Sequence, residues 1–111
     1  IDPYIFNCFG MLIQVFHRGL IMKLAHIVVH GRVQGVGFRW FVQSEAESMG
    51  LSGTVKNLAD GSVEILVHGD DKIIEELMDK VQIGNGYCKV VDKITKWSDS
   101  QNVWNGFRIL T

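Results

Sequence analysis

The feature that most constrains this chain is a change of period around one glycine-rich turn. From Leu24 to His30 the residues are apolar and β-branched, with Ala25, Ile27 and Val29 on one face and Leu24, His26, Val28 and His30 on the other. From Phe38 onward the apolar positions fall at Phe38, Phe41, Val42, Ala46 and Met49, which is one face of a helix. Between them lies Gly31-Arg32-Val33-Gln34-Gly35-Val36-Gly37-Phe38-Arg39. A strand must therefore reverse into a helix through a turn whose glycines tolerate positive φ and let a ligand approach the backbone.

That turn has chemical consequences. A helix start leaves N–H groups unpaired and carries the positive end of the helix dipole. Backbone N–H groups converging from a turn into a helix make a site for phosphate or carboxylate. Arg39 falls in the first helical turn, where a cation conflicts with the dipole unless an anion sits nearby. Its planar guanidinium can bind an oxyanion through two parallel hydrogen bonds. Trp40 stands where a dinucleotide fingerprint needs its third glycine, and no Lys-Ser/Thr pair follows, so both common nucleotide loops are excluded.

The rest of the pattern supplies the partners. Gly50 can end the first helix in a left-handed conformation, with Leu51 covering the stop. Residues 53–58 read as a short strand, Asp60-Gly61 as a turn, and Val63, Ile65 and Val67 as the returning strand of a hairpin. Asp70-Asp71 caps a second helix with the apolar face Ile73, Ile74, Leu77, Met78 and Val81, ended by Gly84-Asn85-Gly86. Residues 87–97 read as an irregular strand with a bulge near Val90-Val91. The polar run 98–105 reads as a loop, and 106–110 as a short last strand. The predicted fold is α+β, a ferredoxin-like βαββαβ sandwich: an antiparallel sheet with two helices on one face, plus a short C-terminal strand.

Composition narrows the function class. A chain of 111 residues fits one domain, and 47% hydrophobic with 21% charged residues is ordinary for a globular protein. A net charge of −1 and the lack of a basic stripe argue against nucleic-acid binding. No apolar run approaches the roughly 20 residues needed to span a bilayer. Cys8 and Cys88 form no disulfide framework, which points to a reducing cytoplasm. Residues 1–21 read as a non-functional N-terminal extension, foreign or translated from upstream, and residues 22–111 as the domain.

Two segments carry a resemblance. The run from Gly31 to Arg39 is similar to a Gly-x-Val-Gln-Gly-Val-x-Phe-Arg signature. Gly53, Val55, Lys56, Asn57, Gly61, Val63 and Gly69 match a second signature in the right order. Together they resemble the acylphosphatase family, over roughly residues 23–111. Three positions depart from the family pattern: Thr54 replaces a usual aromatic residue, Gly84-Asn85-Gly86 stands where many members have Gly-Pro, and the chain ends Phe107-Arg108-Ile109-Leu110-Thr111 rather than on tyrosine. Thr54 bears on local packing more than on chemistry.

The resemblance implies hydrolysis of acyl phosphates to a carboxylate and inorganic phosphate. It implies phosphoryl binding by Arg39 and by the backbone of Gln34, Gly35, Val36, Gly37 and Phe38, with Asn57 orienting the attacking water. Without the resemblance, Asn57 is simply the start of the hairpin turn. No metal and no cofactor are expected. The expected partner is a small acyl phosphate, or phosphate or a similar anion; nucleic acid and membrane are not expected, and a monomer is the default.

A non-catalytic anion-binding module on the same fold is the competing reading, since one fold hosts many functions. A module cut from a larger hydrogenase-maturation carbamoyl-transfer protein is another, and this chain is too short to hold that protein's other domains. The remaining candidates have duller readings. His26 and His30 lie about 13 Å apart along a strand, too far to share a metal. His68 falls on a polar strand face, Glu45 and Glu47 on a solvated helix face, Cys88 within a strand, and Trp40, Trp97 and Trp104 among packing residues.

Overall fold

The structure, a computed structural model, describes residues 22–100 and 104–111. The N-terminal extension expected over residues 1–21 therefore lies outside the described residues. The elements run β1 (Met22–Arg32), α1 (Phe38–Ser48), β2 (Ser52–Asn57), β3 (Val63–Gly69), α2 (Asp71–Ile83), β4 (Lys89–Ser100) and β5 (Phe107–Leu110). The strands form one sheet in the order β4-β1-β3-β2-β5. The first four strands pair antiparallel, and β5 joins β2 in parallel at the edge, so the sheet is mixed.

The core follows the expected periods. Ala25, Ile27 and Val29 of β1, Val55 of β2 and Val63, Ile65 and Val67 of β3 are buried on one sheet face. Phe38, Val42 and Ala46 of α1 and Ile74, Leu77 and Val81 of α2 are buried with them, and Phe41, Met49, Ile73 and Met78 pack partly against that cluster. The end of α1 is built as the sequence predicts: Gly50 has φ 74°, its N–H bonds the Glu47 carbonyl, and the N–H of buried Leu51 bonds the Ala46 carbonyl at 2.9 Å. The Asp70 carboxylate accepts from the Lys72 N–H at 2.9 Å and caps α2.

The bulge in β4 lies at Val91. His30 pairs with Asp92 and Gly31 with Val90, so Val91 is the extra residue. β4 itself differs from the sequence reading. It starts at Lys89, leaving Cys88 in the preceding loop, and continues through Ser98, Asp99 and Ser100, which the sequence assigns to a loop. The reason is tertiary pairing: Met22 to Leu24 extend β1 and offer a backbone ladder to Ser98 through Ser100, and Lys23 forms an ion pair with Asp99. Polar composition on an exposed edge does not prevent a strand when a partner is present.

Candidate active site

The turn between β1 and α1 takes the conformation its glycines allow. Gly35 and Gly37 have φ 74° and 77°, and Gly37 is the N-cap of α1. No side chain caps that end, and the first turn of α1 holds no acidic residue. The first backbone bond of the helix runs from the Phe41 N–H to the Gly37 carbonyl, so the N–H groups ahead of Phe41 make no intrahelical bond. Val33 and Phe38 are fully buried and anchor the turn at both sides, while Gly35 and Gly37 are exposed. The result is a pinned loop that presents its backbone.

A cavity of about 170 Å³ opens at this place, lined by Val33, Gly35, Gly37, Phe38, Arg39, Trp40 and Ile109. Arg39 thus shares one concavity with the two glycines. Its Nη1 donates to the Leu110 carbonyl at 3.2 Å, which holds the guanidinium against β5 and leaves other N–H donors available. Gln43, one helical turn on, donates to the Phe107 carbonyl at 3.0 Å. The two side chains tie α1 to both ends of the edge strand.

Asn57 is the last residue of β2 and shares the helix-facing side with buried Val55. Leu110, which holds Arg39, aligns with Lys56, the residue before Asn57. Gln34 reaches the same end of the sheet, its side-chain Nε2 donating to the carbonyls of Leu58 and Ser62 at 2.8 Å each. Asn57, Gln34 and Val36 do not line the cavity. The Oδ1 of Asn57 is buried and has no hydrogen-bond partner among the described residues. A buried acceptor left unpaired costs stability, so such an atom calls for an explanation. Asp60 shapes the turn that follows, its carboxylate accepting from the Ser62 N–H at 2.9 Å and from the Ser62 hydroxyl. These bonds, the hydroxyl first, hold its pKa below the ordinary carboxylate value.

This geometry sits where the matched signatures lie. The family model described as acylphosphatase matches residues 25–109. The chain belongs to the acylphosphatase family. It is 42% identical over 89 residues to the acylphosphatase of Geobacillus kaustophilus, across 80% of this chain and 95% of that protein. The crystal structure of acylphosphatase from Bacillus subtilis matches with a TM-score of 0.77 and 42% identity, covering 80% of this chain and 99% of that one. T. kodakarensis HypF matches with a TM-score of 0.71 and 33% identity, over 80% of this chain but 12% of that one. As an acylphosphatase, the protein hydrolyses acyl phosphates.

Other sequence readings need correction. His68, read as lying on a polar strand face, is only 7% exposed, and its ring stacks on Trp104 at 5.7 Å with 15° between planes. Burial pushes its pKa below the ordinary histidine value. Glu45 is half-buried and pairs with Lys80 at 3.2 Å, joining the two helices. Trp40 is 67% exposed and Trp97 is also exposed, so of the three tryptophans Trp104 is the one that packs closely. The signal for Trp40 was present: it falls off the apolar stripe of α1, where an aromatic residue has no core to enter. Asn85 was also missed as a neighbour of the site; its Nδ2 donates to the Val36 carbonyl at 2.9 Å. No local pattern announces a contact 49 residues apart.

Proposed function

We propose that Arg39 and the backbone N–H groups of Gln34, Gly35, Val36, Gly37 and Phe38 hold the phosphoryl group of the acyl phosphate, and that Asn57 positions the water that attacks it. The observation that carries this reading is the buried, unpartnered Oδ1 of Asn57 at the end of β2. An amide oxygen can accept one O–H of a water and thereby fix where the water oxygen aims its lone pair. The oxygen attacks phosphorus, the phosphorus–acyl oxygen bond breaks, and the acyl group leaves as a carboxylate. The water's remaining protons stay with the phosphate and solvent.

The chemistry suits so small a site. The leaving group is the conjugate base of an acid with a pKa near 4, so it departs without a proton. What remains is to place the nucleophile and to neutralise charge on the phosphoryl oxygens. Each well-aimed donor supplies roughly 3 kcal/mol of transition-state stabilisation, by analogy with oxyanion holes. No metal is needed for any of these steps. A grip on the phosphoryl group tolerates many acyl tails. Two cysteines far apart in sequence support a reducing, cytoplasmic setting, and a monomer suffices because all the named groups come from one chain.

The test is hydrolysis of benzoyl phosphate by metal-stripped protein, with Arg39→Ala alongside. Turnover that survives chelation and is lost in Arg39→Ala is expected. Turnover that persists in Arg39→Ala overturns the assignment, and phosphate binding without turnover in the wild type turns the cradle into a binding module.

A further inference from the structure

The loop between α2 and β4 holds a residue whose whole side chain is committed. Asn85 is half-buried, and its Oδ1 accepts from the N–H groups of Tyr87 at 2.9 Å and Cys88 at 3.0 Å. Those two bonds fold the loop on itself. Its Nδ2 donates across the fold to the Val36 carbonyl at 2.9 Å. The same nitrogen lies against Gly37, where a Cβ would stand 3.7 Å from it. The loop's own turn needs the oxygen alone, so the nitrogen serves the glycine turn.

The effect on that turn follows from peptide geometry. The chain's described peptide bonds are all trans, so the Val36 carbonyl and the Gly37 N–H lie in one plane and point in opposite directions. Pinning the carbonyl toward Asn85 pins the Gly37 N–H away from it. Gly37 lines the cavity beside Gly35 and Arg39. This peptide turns about ψ of Val36 and φ of Gly37, and Gly37, at φ 77°, tolerates a wide range of the second angle. Its direction therefore depends on an outside contact.

We infer that Asn85 is a positioning residue of the active site, which sets the direction of the Gly37 N–H so that it donates to the bound phosphoryl group. The inference rests on the cradle reading given above. Asn85 does not line the cavity; it acts through the Val36–Gly37 peptide. An oriented donor gains most where negative charge accumulates, so the contact supports phosphate binding and turnover together.

The experiment uses inorganic phosphate as probe, read by inhibition of benzoyl phosphate hydrolysis and by the backbone amide NMR shifts of residues 34–38. Two variants are compared. Asn85→Asp keeps the acceptor for Tyr87 and Cys88 but loses the donor to Val36; Asn85→Ala loses both without adding charge. Each is expected to weaken phosphate inhibition by about tenfold, the worth of one well-placed hydrogen bond. Each is also expected to shrink the phosphate-induced shift of the Gly37 amide, read at a temperature where each variant is fully folded. Undiminished inhibition and an undiminished Gly37 shift in both variants overturn the inference. Weakening in Asn85→Asp alone marks a charge effect and overturns it too. A wild-type protein whose amides over residues 34–38 ignore phosphate overturns the cradle reading itself, which is a different result.

Discussion

The side-chain amide of Gln34 donates to the Leu58 carbonyl at 2.8 Å, which ties the loop before α1 to the turn immediately after Asn57. The same nitrogen donates to the Ser62 carbonyl at 2.8 Å. Both carbonyls also accept from the turn itself, through the Gly61 and Leu58 N–H groups. Losing Gln34 therefore strands neither acceptor. Gln34→Ala is expected to cost about 1–3 kcal/mol of stability, the net worth of two ordinary hydrogen bonds. Gln34→Glu is expected to cost more, because it aims a carboxylate oxygen at two carbonyls. In both variants the loop and Asn57 lose their common brace, so kcat should fall by a larger factor than stability alone explains. Denaturant midpoints beside steady-state kinetics give the comparison.

Asn57 separates activity from stability more sharply. Its Oδ1 is buried without a partner among the described residues, and burying an unpaired acceptor costs about 1–3 kcal/mol. Asn57→Ala removes that cost along with the water-positioning atom. Turnover is expected to fall by roughly two to three orders of magnitude, with phosphate inhibition near the wild-type value and stability equal to or above it. Normal turnover in Asn57→Ala would falsify the water-positioning role. A large loss of stability would show that the residue holds the strand end instead.

Gly31 tests the fold without touching the cradle. It sits at φ 132° opposite the β4 bulge, and a Cβ there would lie 2.1 Å from the Lys89 carbonyl oxygen and 2.9 Å from the Val91 nitrogen. Both are backbone atoms of a paired strand and cannot swing aside. Gly31→Ala is expected to cost about 3–5 kcal/mol, from backbone strain and forced separation of β1 from β4. Gly35 offers the contrast. A Cβ there meets nothing within 4 Å, so Gly35→Ala should cost only about 1–2 kcal/mol of left-handed strain. Thermal unfolding of the two variants distinguishes a glycine kept for packing from one kept for its backbone angle.

These contrasts show what the sequence could and could not convey. The strand-to-helix change of period, the two apolar helix faces and the stop at Gly50 are local patterns, so they were legible. Arg39 and Asn57 were legible as candidates because each sits awkwardly for its element: a cation at a helix N-terminus, an amide at a strand end. The positions of Ser98 to Ser100, His68 and Asn85 were not, since each depends on a partner far along the chain. Ser98 looks like loop until Leu24 is beside it. His68 falls on a polar face until Trp104 lies over it.

That covered histidine makes the stability of the fold depend on pH. His68 is 7% exposed, its Nε2 has no partner among the described residues, and desolvation lowers its pKa from the ordinary value of 6.5. In the unfolded chain the ring is free to protonate near about pH 6.5. Between that value and the lower folded one, the unfolded state binds more protons than the folded state. Stability is therefore greatest above the unfolded pKa and declines as pH falls toward the folded one. Chemical denaturation of wild type and His68→Phe at about pH 8 and about pH 5 is the measurement. The phenyl ring keeps the stack on Trp104 but cannot titrate. The stability lost on acidification should be smaller in His68→Phe than in wild type. Equal losses in the two proteins would mean that another group carries the acid sensitivity.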